Sequence, residues 1–126
     1  MTYSLTITTR ARSACLRVAG DLDYQTSDDY FAAANRLLAQ HSDLSDLHLD
    51  FSALKFLDSA ALSGLLILHR RASQANVELH FDRRPPFLDR ILHVTGLFSH
   101  FDLTHAEADD ESNLVRQSGT GDTGVF

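Results

Sequence analysis

The chain has 126 residues, 44% hydrophobic and 22% charged, with a single cysteine and no Trp; that length suits one domain with enough apolar residues for one core. The formal charge of -6 is unevenly placed: residues 1–101 hold 11 acids and 10 bases, whereas residues 102–126 hold six acids and one base. A nearly neutral body with an acidic end gives no electrostatic basis for nucleic-acid binding. The opening MTYSLTITTRAR alternates polar and apolar residues, and no later run approaches the roughly 20 apolar residues of a membrane span, which predicts a cytoplasmic protein. Cys15 cannot form an internal disulfide, and its apolar surroundings predict a buried, inert thiol.

Residues 3–9 and 14–19 read as strands, and the short polar stretch 10–13 between them predicts an antiparallel hairpin. After Gly20, Thr26 or Ser27 can cap a helix whose first turn carries Asp28 and Asp29, favourably near its positive end. Phe31, Ala34, Leu37 and Leu38 then follow helical spacing. Residues 47–51 predict a short buried strand, with a turn at Ser52 and Ala53 and another extended piece over 55–57. Asp58 and Ser59 cap a helix over 60–75, so apolar in its first half that it is expected to pack centrally. Asn76 ends it, residues 77–81 alternate as a strand, and Pro85 and Pro86 open a third helix that Thr95 and Gly96 stop. Residues 97–103 predict a short helix or an edge strand. Strand-helix-strand units favour parallel pairing and right-handed crossovers, which gives an α/β fold with a mixed sheet and a mostly helical face. Residues 106–126, acidic and rich in Gly, Ser and Thr, read as a disordered tail after a domain over 1–105.

The chemistry-bearing residues exclude more than they propose. None of the seven histidines pairs at i,i+4 with a flanking Glu, so they read as surface residues and no metal site is expected. No glycine-rich phosphate loop is present. A serine nucleophile at Ser59 would need glycines two residues to either side, where Leu57 and Ala61 stand, so an enzyme is not expected. Ser59 is either a plain helix cap or a regulatory site, because a phosphate at a helix start meets free N–H groups.

The segments GDLDYQT from Gly20, LHLDFSALKFLDSAAL from Leu47 and LDRILHVTGLFSHF from Leu88 resemble, in order, three signature stretches of the STAS domain family. The likeness is closest to bacterial anti-sigma-factor antagonists, also called anti-anti-sigma factors. The resemblance implies a mixed sheet of four or five strands with helices largely on one face. It implies that the chain binds an anti-sigma factor acting as a serine kinase, which supplies ATP and magnesium, so that the chain needs no cofactor of its own. It also implies that phosphorylation of Ser59 releases that partner, and that a phosphoserine phosphatase resets the switch. Asp21, Asp23, Asp58, Ser59, Ala60, Ala61 and Leu62 are the expected partner-binding positions, with Asp23 and Asp58 orienting the kinase. Neither a membrane nor nucleic acid is an expected partner, and a weak homodimer is allowed for. The family usually follows Asp-Ser with Ser or Thr and then Gly, where this chain has Ala60 and Ala61. That departure motivates an alternative, a non-switching STAS subunit of a signalling assembly or of a transporter-associated complex.

Overall fold

A computed structural model describes residues 2–103. The elements run β1 (Tyr3–Arg10), β2 (Ser13–Leu22), α1 (Ser27–Gln40), β3 (Asp46–Leu57), α2 (Ser59–Gln74), β4 (Glu78–Asp82), α3 (Pro86–Val94) and α4 (Leu97–His100). The chain divides into two compact units, Met1–Leu88 and Asp89–Phe126. The expected tail, residues 106–126, lies outside the described residues.

In the first unit the strands form one four-stranded sheet in the order β1-β2-β3-β4. β1 and β2 make the expected antiparallel hairpin, and β2, β3 and β4 run parallel. α1 and α2 carry the chain one strand along in the same direction each time. Right-handed crossovers of that kind place both helices on one face, and the two helices touch. Their close approach depends on Gly64, where a Cβ would collide with the ring of Phe31. Alternate residues of the strands fill the space beneath the helices: Leu16, Val18, Leu22, Leu47, Leu49, Phe51 and Phe81 are buried. The intervening residues, among them Cys15, His48, Asp50, His80 and Asp82, are only half-buried on the open face.

Several local expectations change. Ser52 and Ala53 form no turn; β3 passes through them, and the chain change appears as two β-bulges. Arg17 pairs with Asp50 but Ala19 with Ala53, and Gly20 pairs with Leu54 but Asp21 with Phe56, so β3 holds one extra residue at each step. The amide of Ser52 bonds the Asp50 carboxylate at 2.9 Å, a local bond of the type that turns also use. The inner face of α1 is Tyr30, Ala33, Ala34 and Leu37; Phe31 and Leu38 are half-buried at its side. α2 is not central. Only Ala61, Leu65, Leu68 and Ala72 are buried, and Ile67 is 52% exposed. Cys15 is half-buried rather than enclosed, although partial burial and then the charges of Asp50 and Asp82 hold its thiol above the usual range. Tyr30 is fully buried, and its hydroxyl has no hydrogen-bond partner among the described residues. Burial also raises its ionisation well above the ordinary phenol value.

Residues 89–103 of the second unit comprise the end of α3 and the one-turn helix α4, which settles the choice between a short helix and an edge strand. Gly96 turns the chain between them at φ 80°, a left-handed conformation that glycine adopts without strain. Phe98 and Phe101 are buried, and the ring of Phe98 stacks on His93 with centroids 4.0 Å apart.

Candidate functional site

The site is built where β2 and β3 end. β2 runs out at Leu22, level with Leu57 of β3, and the two chains then diverge into the loop before α1 and the start of α2. Residues beyond the carboxyl ends of parallel strands are freed from the sheet ladder and commonly carry binding function.

Asp58 joins the two segments. Its backbone is extended at φ -106° and ψ -177°, the conformation of an N-cap. One carboxylate oxygen accepts from the amide of Ala61 at 3.0 Å, and the other accepts from the amide of Tyr24 at 2.9 Å. The cap of α2 is therefore Asp58, and Ser59 is the first residue inside the helix. The amides of Ala61 and Leu62 are taken by the Asp58 side chain and carbonyl. The amides of Ser59 and Ala60 stand ahead of the helix's own ladder, at its positive end.

The expected partner-binding residues separate into two groups. Ser59 and Ala60 are exposed, and Asp21, Asp58 and Leu62 are half-buried, so these five border on solvent. Asp23 and Ala61 do not: Asp23 is 6% exposed and Ala61 is 0% exposed. The Asp23 carboxylate accepts from the amides of Gln25 and Thr26 at 3.0 and 3.2 Å. Its own amide donates to the Thr26 hydroxyl at 2.9 Å, and that hydroxyl donates to the carbonyl of Asp21 at 2.9 Å. A buried carboxylate satisfied in this way shapes its loop instead of presenting charge to a partner. Thr26 likewise braces the loop and gives α1 no side-chain cap bond. The methyl of Ala61, at the position where the family commonly has glycine, points into the core and leaves the surface unchanged.

Two aromatic residues join the site that reasoning from the sequence passed over. Tyr24 is 71% exposed and Phe56 is 50% exposed. Tyr24 is tied to Asp58 through its amide, and Phe56 is the register partner of Asp21. Phe56 was legible as an apolar residue but not as an exposed one, because its face depends on the bulges of β3. The surface around Ser59 thus combines a hydroxyl, a carboxylate and a helix start, with the exposed Tyr24 tied to it through its amide.

The family described as "Mlab, STAS domain" matches residues 5–103. The chain belongs to the STAS domain family. Its fold is similar to that of an anti-sigma factor antagonist from Mycobacterium paratuberculosis, with a TM-score of 0.71 and 23% identity over 82% of this chain and 86% of the other. It is also similar to the Bacillus cell fate determinant SpoIIAA in its phosphorylated form, with a TM-score of 0.61 and 19% identity over 78% of this chain and 86% of the other. The unphosphorylated form of SpoIIAA, also an anti-sigma factor antagonist, gives a TM-score of 0.60 and 18% identity over 73% and 82% of the two chains. This STAS domain has the mixed four-stranded sheet implied by the sequence. Among its described residues no helix is long and apolar enough to cross a membrane.

Proposed function

We propose that this STAS protein is an anti-sigma-factor antagonist, a binding protein of the cytoplasm that docks on an anti-sigma factor with serine-kinase activity and is switched by phosphorylation of Ser59. The observation that carries this reading is the exposed Ser59 at the first position of α2, beside the half-buried Asp58, whose carboxylate also holds the loop of the exposed Tyr24. In the neutral state the hydroxyl and the exposed Tyr24 loop offer a surface that a partner covers without burying a new charge. A phosphate carries about -1.5 to -2 charges. Near its own helix start it is tolerated, because α2 presents free amides and its positive end. Against a partner it adds charge to the carboxylate of Asp58 and must be desolvated, so docking weakens. The kinase supplies ATP and magnesium, and a phosphoserine phosphatase restores the hydroxyl. The fold likeness to a determinant seen in both phosphorylated and unphosphorylated forms agrees with this cycle.

Incubation with the cognate kinase and ATP should add one phosphate, read by intact mass, and Ser59→Ala should abolish it. Ser59→Asp should weaken binding to the anti-sigma factor by more than about tenfold, or 1.4 kcal/mol, while Ser59→Ala binds as tightly as wild type. Undiminished labelling of Ser59→Ala would remove the site from the proposal.

Ala60 favours a second reading. It is exposed beside Ser59, where related proteins usually carry a second hydroxyl, and a surface that has shed hydroxyls suits a constitutive STAS subunit of a larger assembly. Stable co-purification with a membrane or signalling complex, with no phosphate acquired in cells, would favour that reading over the switch.

A further inference from the structure

The open face of the sheet carries a second constellation, distant in sequence from the Ser59 loop. β3 contains Asp46-Leu47-His48-Leu49-Asp50 and β4 contains Glu78-Leu79-His80-Phe81-Asp82, the same order of acid, apolar, His, apolar, acid. In both strands Leu or Phe at the second and fourth places turns toward the helices, which leaves the His and the acids on the opposite side. The parallel register pairs Asp46 with Glu78, His48 with His80 and Asp50 with Asp82. The two imidazoles are therefore neighbours across the sheet, and they stack with centroids 4.2 Å apart and planes 11° from parallel.

We infer that His48, His80 and Asp82 form a binding site for a divalent transition-metal ion of the zinc class. Each offers one ligand atom, and the three atoms lie within 4.8 Å of one another. Zinc bonds of about 2.0–2.1 Å to nitrogen and oxygen in a tetrahedral site require donors about 3.3 Å apart. The side chains must close by at most about 1.5 Å, and because zinc lies in the plane of each imidazole it binds, one of the two rings must also turn out of the present stack; half-buried residues make both movements by rotation about their side-chain bonds. Two imidazoles and one carboxylate are a ligand set that zinc uses where a fourth position stays open to water.

The surroundings fit a metal better than they fit isolated surface histidines. Nδ1 of His48 lies 2.8 Å from Oδ2 of Asp82, so a proton is shared between two of the three donors, and a metal ion replaces that proton. Nε2 of His80 lies 2.9 Å from Oδ1 of Asp46. That carboxylate holds the ring by one nitrogen and orients the other, the arrangement that commonly fixes a metal-bound imidazole. Asp46 is in turn positioned by the hydroxyl of Ser45, which donates to its other oxygen at 2.9 Å. Asp82 and His48 also line an open hollow of about 240 Å³ with Asp50, Cys15 and Arg83, so ions reach the cluster from solvent.

The test uses the untagged full-length chain and Zn²⁺ in competition with a chromophoric chelator. Wild type should bind one equivalent at micromolar protein. His48→Gln, His80→Gln and Asp82→Asn should each weaken binding by more than about tenfold, and Asp46→Asn by about tenfold through loss of orientation. His41→Gln, just past the end of α1, should bind as wild type. Imidazole ¹⁵N shifts of the wild-type protein, which need no variant to fold, should move for His48 and His80 on adding Zn²⁺. Absence of binding, wild-type affinity in His48→Gln and His80→Gln, or shifts confined to other histidines would overturn the site.

Discussion

Replacing Asp58 by alanine tests whether one carboxylate holds the loop before α1 against the start of α2. The substitution removes the acceptor for the amide of Ala61 at 3.0 Å and the acceptor for the amide of Tyr24 at 2.9 Å. Loss of an N-cap costs about 1 kcal/mol. The Tyr24 amide lies near the surface and regains a water, so its lost bond costs about 0.5–1 kcal/mol more. The total is about 2 kcal/mol, which for a folded unit of this size lowers Tm by about 8–16 °C. Asp58→Asn keeps one acceptor oxygen where the carboxylate has two, so it should lose about half as much. Thermal and urea unfolding followed by circular dichroism measure the stability, and amide hydrogen exchange at Tyr24 reports the loop directly. Both variants should exchange faster at Tyr24 than wild type if the bridge exists. An Asp58→Ala protein within about 0.5 kcal/mol of wild type, with unchanged exchange at Tyr24, would refute the bridging role.

The buried hydroxyl of Tyr30 has no partner among the described residues, and an unsatisfied buried polar group costs about 1–3 kcal/mol. Tyr30→Phe should therefore raise stability by about 1 kcal/mol in urea unfolding, and a loss of similar size would show that the hydroxyl is bonded. The thiol of Cys15 is held above its usual range by partial burial first and by the charges of Asp50 and Asp82 next. Its alkylation by iodoacetamide should show an inflection at higher pH in the native protein than in the urea-unfolded chain, and Asp50→Asn should move that inflection down. An inflection equal in the two states would remove the electrostatic argument. At any pH below that inflection the thiolate fraction is smaller in the native protein than in the unfolded chain, so native labelling is slower.

Local patterning accounts for most of what the sequence revealed. Proline at the start of α3, asparagine at the end of α2 and aspartates in the first turn of α1 act within a few residues of themselves, and each element stands where those residues put it. Asn76, at φ 59°, takes the left-handed conformation that asparagine tolerates better than most side chains. Burial was harder to read. Phe31 is larger than Ala33, yet Ala33 lies on the inner face of α1 while the ring of Phe31 sits at its side against Gly64 of α2. The apolar first half of α2 suggested a central helix, but an apolar side chain can equally serve an exposed surface, as Ile67 does. The matched His-centred segments were visible as strings, but only the register of β3 with β4 brings their rings together.

The same dependence on register explains the Ser59 site. The alternation of buried residues along β3 runs through Leu47, Leu49 and Phe51 and then breaks, with Leu54 and Leu57 buried next. In sequence that break around Ser52 and Ala53 resembles a turn. In the sheet it is two extra residues, which move the pairing from Arg17 with Asp50 to Leu22 with Leu57. If β3 kept all its residues but ran regularly, Leu22 would stand level with Lys55, and Asp58 would lie about 6–7 Å further along the strand direction, since each residue advances about 3.3 Å. A carboxylate displaced by that distance could not bond the amide of Tyr24. The bulges thus bring Asp58 within reach of the loop, and they also turn Phe56 outward beside Asp21. Deleting Ser52 takes out one of the extra residues, so Ala19 should stay opposite Ala53 and Leu22 opposite Leu57, and the Asp58 bridge should survive; faster amide exchange at Tyr24 with an intact β1-β2 hairpin would refute the view that register at the strand ends places Asp58.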